Sequence, residues 1–223
     1  MLAIVKPSGW LSQPDGSKRP DIFNWAKNYI KIKWGKPGNV YLGLCHRLDM
    51  SVGGVTVFAK TSKTASRINV QFRERTAIKK YLALCFGNTS SKMGHLVDHL
   101  VRNFKITNRA LPEETGKTSE LFWQLVGNKQ VIGPLKDNGE VPICLLDILL
   151  KSGFKHQIRA QLSLASLPIW GDTAYGGPAL PPGEKSIGLF AYELSLNHPI
   201  THELMIFKAE VDFNILPWSL WKK

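Results

Sequence analysis

The chain has 223 residues, 43% of them hydrophobic, which is enough to bury one sizeable core or two modest lobes without disulfides. Lysine and arginine number 29 against 17 acids, a formal charge of +12; that excess favours a polyanionic partner, most simply nucleic acid, because each neutralised phosphate releases condensed counterions. A membrane protein is not expected: the most apolar window, VPICLLDILL, is interrupted by Asp147 and is too short to cross a bilayer. The opening MLAIVKPSGW lacks a basic leader followed by a long apolar stretch, so no secretory signal is expected and the location predicted is cytoplasmic.

Residues 2–5 read as a short strand that ends at Lys6-Pro7, after which PSGW turns. Beyond Pro20, apolar Ile22, Trp25, Ala26, Tyr29 and Ile30 recur at three- and four-residue spacing, predicting an amphipathic helix with lysines outside. Gly35-Lys36-Pro37-Gly38 ends it. YLGLC then leads into HRLDMSVGG at 46–54, and GVTVFA at 54–59 has the β-branched content of a buried strand. A second helix is predicted over 62–74, with Ser62 as its N-cap and Ala65, Ile68, Val70 and Phe72 turned partly inward. Strands follow at 78–87, 118–126 and 142–150; KHQIRAQLSLAS at 155–166 has helical spacing. Two more strands, 188–196 and 202–211, are joined through Asn197-His198-Pro199. Many strands, few helices and short connections give an α+β class with a mixed, mainly antiparallel sheet and flanking helices. Regular βα alternation is missing, and with no GxGxxG or phosphate-binding lysine loop a nucleotide cofactor is not expected.

The chemistry-bearing residues are few. Cys45, Cys85 and Cys144 lie far apart in apolar contexts and read as reduced packing residues. His95 with His99, and His198 with His202, have four-residue spacing but no further ligands, so no metal site is expected. Asp49 stands between an apolar lead-in and a glycine turn, a suitable setting for a nucleophile or base. Taken alone, it reads equally as a turn residue ion-paired to Arg47. Seven basic residues against one acid, Glu74, lie between Lys60 and Lys80: Lys60, Lys63, Arg67, Arg73, Arg75, Lys79 and Lys80. Solvated faces normally mix signs, so this run is read as a phosphate-contacting surface. On a strand, Tyr81 projects to the same side as Lys79 and opposite Lys80.

HRLDMSVGG resembles the HRLDxxTSG element of RluA-type RNA pseudouridine synthases. IKKYLALCFG is similar to their KxYxAxxxG strand, and GFKHQIRAQLSLASLPIWGDTAYGG to their HQIR and GDxxYG segment. The opening LAIVKPSGWLSQP is similar to their strand-KPxG start, and AYELSLNHPITHE near the end extends the match over almost the whole chain. This resemblance implies the pseudouridine synthase fold with a central RNA-binding cleft, and an isomerase that converts uridine in RNA to pseudouridine with no cofactor and no metal. Carried over by position, Asp49 is the catalytic aspartate, Tyr81 packs against the target base, and Arg159 pairs with the aspartate and keeps it ionised. His46, Arg47, His156, Gln157 and Ile158 match family positions and join Lys60, Lys79 and Lys80 as expected substrate-binding residues.

Two departures stand out. Val52 and Gly53 replace the family's Thr-Ser, removing two hydroxyls that could brace the loop, and Phe154-Lys155 replaces Arg-Thr before His156. They leave open a second reading, a catalytically weak or inactive RNA-binding protein of the same fold acting in RNA folding or ribosome assembly. Residues 1–223 are expected to form a single catalytic domain without an additional N-terminal RNA-binding module, acting as a monomer on a ribosomal or transfer RNA stem-loop. Target choice is assigned to the basic 60–80 region and the segment around 90–117.

Overall fold

The computed structural model describes residues 1–100, 117–132 and 139–222. In chain order the elements are β1 (Leu2–Lys6), α1 (Ile22–Lys33), β2 (Gly43–Leu44), β3 (Gly53–Ala59), α2 (Ser62–Arg73), β4 (Ile78–Phe86), β5 (Met93–Leu100), β6 (Lys117–Ile132), β7 (Glu140–Leu150), α3 (Gln157–Leu164), β8 (Leu189–Asn197) and β9 (Leu204–Lys208). Short 3-10 turns stand at Thr173–Tyr175 and Trp218–Trp221. The class is α+β, with mainly antiparallel pairing and three α-helices among the described residues. Two compact units divide the chain, Met1–Ile78 with Ala191–Ala209 and Lys79–Phe190 with Glu210–Lys223.

In the first unit β3 lies between β1 and β8, β2 also pairs with β3, and β9 pairs with β8. All seven residues of β3 are buried, which explains why its sequence shows no polar alternation. Val55, Val57 and Ala59 pack with Ala65 and Ile68 of α2 and with Leu194 and Leu196. Phe58, on the opposite side, packs with Ile22, Ala26 and Ile30 of α1. Thr61 caps α2, its Oγ1 accepting from the Thr64 N–H at 3.2 Å, whereas the sequence points to Ser62. The helix begins one residue earlier in this respect, and Ser62 is its first helical residue.

In the second unit the strand order is β4-β7-β6-β5, every pairing antiparallel. β6 runs longer than the 118–126 expected, and β5 is a strand that the sequence reading leaves inside its 90–117 segment. Within that segment, 101–116 lies outside the described residues. β5 pairs in full register with the first half of β6, from Met93 opposite Gln124 to Leu100 opposite Lys117. Its sequence MGHLVDHL has too little β-branched content to announce a strand; pairing with β6 supplies what propensity does not. Cys85 and Cys144 stand opposite each other across β4 and β7, both buried and neither in a disulfide.

Candidate active site

Asp49 sits in a tight turn, where the Val52 N–H donates to its backbone carbonyl at 3.1 Å. The turn is held by two residues from the start of the chain. Ser12 Oγ donates to the Leu48 carbonyl at 2.6 Å and accepts from the Leu48 N–H at 3.0 Å, and both residues are buried. Lys6 is fully buried, and its Nζ donates to the carbonyls of Trp10 at 2.7 Å, Pro7 at 3.0 Å and Met50 at 3.2 Å. The Gly9 N–H adds a second bond to Met50 O at 2.8 Å. The β1–β3 register places Lys6 opposite Gly54, which is why a residue so early in the chain reaches this turn. Burial pushes the Lys6 ammonium down to about 7, and the negative charge of Asp49 opposes that shift.

Gly54 leaves the turn with φ of 128°, a conformation that side chains rarely adopt. A Cβ there would come within 2.2 Å of the Ala191 carbonyl oxygen, so β8 can pass only beside a glycine. Val52, where the family has a hydroxyl, is 3% exposed and apolar, and Gly53 opens the buried strand β3. The backbone of this turn is braced from Ser12 and Lys6.

Arg159 lies on α3, a short helix whose residues from Gln157 to Leu162 are all buried. Its guanidinium grips Asp172 with two bonds, Nε to Oδ2 at 2.6 Å and Nη2 to Oδ1 at 2.7 Å, and lies over the Tyr175 ring at 4.8 Å. The paired, charge-assisted geometry and the aromatic face fix the plane and direction of the guanidinium. His156 caps the helix with φ of 56°, a left-handed conformation costly for a non-glycine, and its Nδ1 is tied to Tyr175 Oη at 2.9 Å. Ser163 Oγ donates to the Tyr175 carbonyl at 2.7 Å, closing the cluster.

Gln157 fills all four of its hydrogen-bonding positions inside the fold. Its Oε1 accepts from Ser152 Oγ and the Phe154 N–H, and its Nε2 donates to the Glu120 carbonyl and to Gln161 Oε1. Gln161 continues to Asp98 Oδ2 at 2.8 Å, which ties α3 to β5. Tyr81, buried in β4 opposite Ile148, belongs to the same unit. Lys79, two residues before it, donates to the Ser152 carbonyl at 3.1 Å, so the β4 strand and the start of α3 share one anchor.

A family model described as RNA pseudouridylate synthase matches residues 1–164. The chain belongs to the RNA pseudouridylate synthase family. It is thus a member of a family of isomerases that act on uridine in RNA. The dual-specificity RNA pseudouridine synthase RluA of Haemophilus influenzae is 29% identical over 96% of this chain and 90% of that protein. The ribosomal large subunit pseudouridine synthase C of Rickettsia typhi is 26% identical over 96% of this chain and 66% of its own length. Among solved structures, human RNA pseudouridylate synthase domain containing 4 superposes with a TM-score of 0.72 at 21% identity, covering 94% of this chain and 85% of that one. That similarity concerns the fold.

The remaining candidates of this pseudouridylate synthase family member divide by their contacts. His46 Nε2 accepts from the Val57 N–H at 3.1 Å and its ring stacks on Phe72, while Arg47 is exposed. Ile158 is 4% exposed, among the residues of α3. Lys80 is half-buried opposite Leu149, and Lys60 lies over the Trp34 ring. Within the basic run, Arg67 donates to the Pro199 carbonyl at 2.8 Å, and the neighbouring Gln71 clasps Asn197 through both its N–H and its carbonyl. Arg67 and Lys79 thus serve backbone carbonyls of the protein itself. Lys6, Ser12, Asp172 and Tyr175 carry no role in the sequence reading, although all four lie in segments that match the family. KPSGW and GDTAYGG offer the signal: a lysine at a strand end and an acid before a tyrosine are costly residues to bury without purpose.

Proposed function

We propose that the chain isomerises uridine in a ribosomal or transfer RNA stem-loop, with Asp49 acting at the target nucleotide. The bond between C1′ and N1 breaks, uracil turns, C1′ rejoins through C5, and the hydrogen on C5 leaves as N1 gains one. Acting as a nucleophile at carbon, or as the partner of positive charge on the sugar, Asp49 must be ionised and held still. The observation that supports this reading most is the turn around it: carbonyls on both sides of Asp49, at 48 and 50, are clamped by buried donors. Such a turn is preorganised rather than loose.

In the same proposal Tyr81 packs against the flipped base and Arg159 is the cation that keeps the carboxylate charged. Asp172 holds the guanidinium through Nε and Nη2, which fixes the direction in which its charge is presented. Arg47, which is exposed, contacts RNA in this proposal together with Lys80 and His156, whereas Gln157 and Ile158 act by positioning α3. The relative named for the ribosomal large subunit supports ribosomal RNA as a substrate, and the one named for dual specificity supports action on RNA at more than one kind of target. Tritium release from RNA labelled at uridine C5 tests the proposal. Wild type is expected to release tritium, and Asp49→Asn to be silent while still binding. Arg159→Ala should abolish turnover, and because it also strips the buried Asp172 of its counter-charge, Arg159→Lys, which keeps a cation there, is measured beside it. Equal silence of wild type and Asp49→Asn on every RNA offered, with both bound, would leave only the RNA-binding reading.

A further inference from the structure

The apolar face of α1 is wider than the core it covers, and its uncovered edge carries aromatic rings. Its inner side is accounted for by Ile22, Ala26 and Ile30. Outside, Trp25 is 45% exposed and stacks on Tyr29, centroids 5.4 Å apart and planes 7° apart. Trp34, 46% exposed, meets Tyr29 edge-on at 6.1 Å. Lys33 Nζ lies 5.2 Å from the Tyr29 centroid and donates to Tyr29 Oη at 2.8 Å, and Lys60 Nζ lies 4.4 Å over Trp34. From Ile22 to Lys36 the chain holds four lysines and no acid.

Three contiguous rings on a surface are more than scattered exposed apolar residues. An apolar protein partner would bury these ammonium groups at a cost, and a duplex presents no free base faces. Unpaired RNA matches both features at once, since bases stack on aromatic faces and phosphates sit on lysines. We propose that the Trp25–Tyr29–Trp34 ridge, with Lys33 and Lys60, is an accessory surface that takes an unpaired stretch of the RNA. This rests on the reading of RNA as the substrate, and it assigns Lys60, expected as a substrate-binding residue of the basic run, to this ridge.

The test uses the full chain, a labelled single-stranded oligouridylate and a fully paired duplex of equal length. Trp25→Ala and Trp34→Ala are each expected to weaken binding of the single strand about tenfold, with duplex binding changed less than about twofold. Trp34→Phe should bind like wild type, since a ring remains, and should lose part of the tryptophan quenching that the single strand causes. Lys60→Gln should flatten the slope of log affinity against log salt by about 0.7. Should the alanine variants unfold, the quenching difference between wild type and Trp34→Phe decides in their place. Unchanged single-strand affinity, equal losses for both probes, or absence of quenching at Trp34 each overturns the proposal. Wild type that binds but releases no tritium refutes the synthase reading and leaves the ridge standing. An unaffected ridge variant of an active enzyme does the opposite.

Discussion

The turn bearing Asp49 and the helix bearing Arg159 both hold a candidate charged group in place, by opposite means. Around Asp49 the grip is on the backbone: Lys6 and Ser12 bond to the carbonyls of Met50 and Leu48. Around Arg159 the grip is on the side chain itself, through Asp172 and the Tyr175 ring. Damage should therefore spread differently. A change beneath the turn shifts a whole loop, whereas a change beside Arg159 releases one guanidinium into a buried site.

The largest effect is expected at Asp172. Asp172→Ala leaves a guanidinium that is 8% exposed without this counter-charge, which costs about 3–5 kcal/mol in the usual case of a broken buried pair. Thermal unfolding should show a correspondingly large fall in Tm. Replacing both partners, as Arg159→Met with Asp172→Leu, should recover much of that stability without recovering tritium release, because apolar pairs of similar volume often replace buried ions at little cost. An Asp172→Ala protein as stable as wild type would mean that this carboxylate does not anchor Arg159, and the contrast between the two regions would disappear.

Lys6 should come next. Lys6→Met removes the donor from three carbonyls, two of them within the Pro7–Trp10 turn and one beside Asp49, at a cost of about 2 kcal/mol. Turnover is expected to fall more than about tenfold while single-stranded RNA affinity holds, since the loop and not the ridge is disturbed. The pH dependence sharpens this. With the folded ammonium depressed to about 7 from 10.5, the unfolded chain keeps a proton that the folded protein has released, across that interval. Stability therefore rises with pH from about 7 toward 10.5, and below about 7, where both states hold the proton, this group no longer changes it. Denaturant unfolding at a series of pH values should show this rise in wild type and its loss in Lys6→Met. An identical slope in both would assign the effect to another group.

Much of the fold follows from local patterning. The fully buried β3, the inner face of α1 and the strand at 78–86 all show in composition and spacing. The candidate acid was visible as well, as a lone carboxylate before paired glycines. What patterning could not reveal was set by long-range pairing. Lys6 looks like a turn lysine until the register places it opposite Gly54, and β5 is a strand because β6 lies beside it. Asp172 lies 13 residues beyond Arg159, too far for a helical pair, and only the return of the chain after α3 brings them together. The basic run shows the same limit in reverse. Sequence counts charges, but Arg67 on Pro199 and Lys79 on Ser152 have their ammonium or guanidinium groups engaged within the protein.

The smallest effect is expected where the sequence departs most visibly from its family. Val52 stands in place of a threonine, yet it is 3% exposed and its N–H already closes the turn onto Asp49 O. Val52→Thr restores the hydroxyl in an apolar site. A hydroxyl buried there must be desolvated, so the expected result is a loss of about 1 kcal/mol in stability and less than about a twofold change in tritium release. A rise of tenfold or more in turnover would show that the backbone clamp does not replace the lost hydroxyl. The Asp49 turn would then be the looser of the two regions, and the stability of Lys6→Met and the activity of Val52→Thr would move in opposite directions.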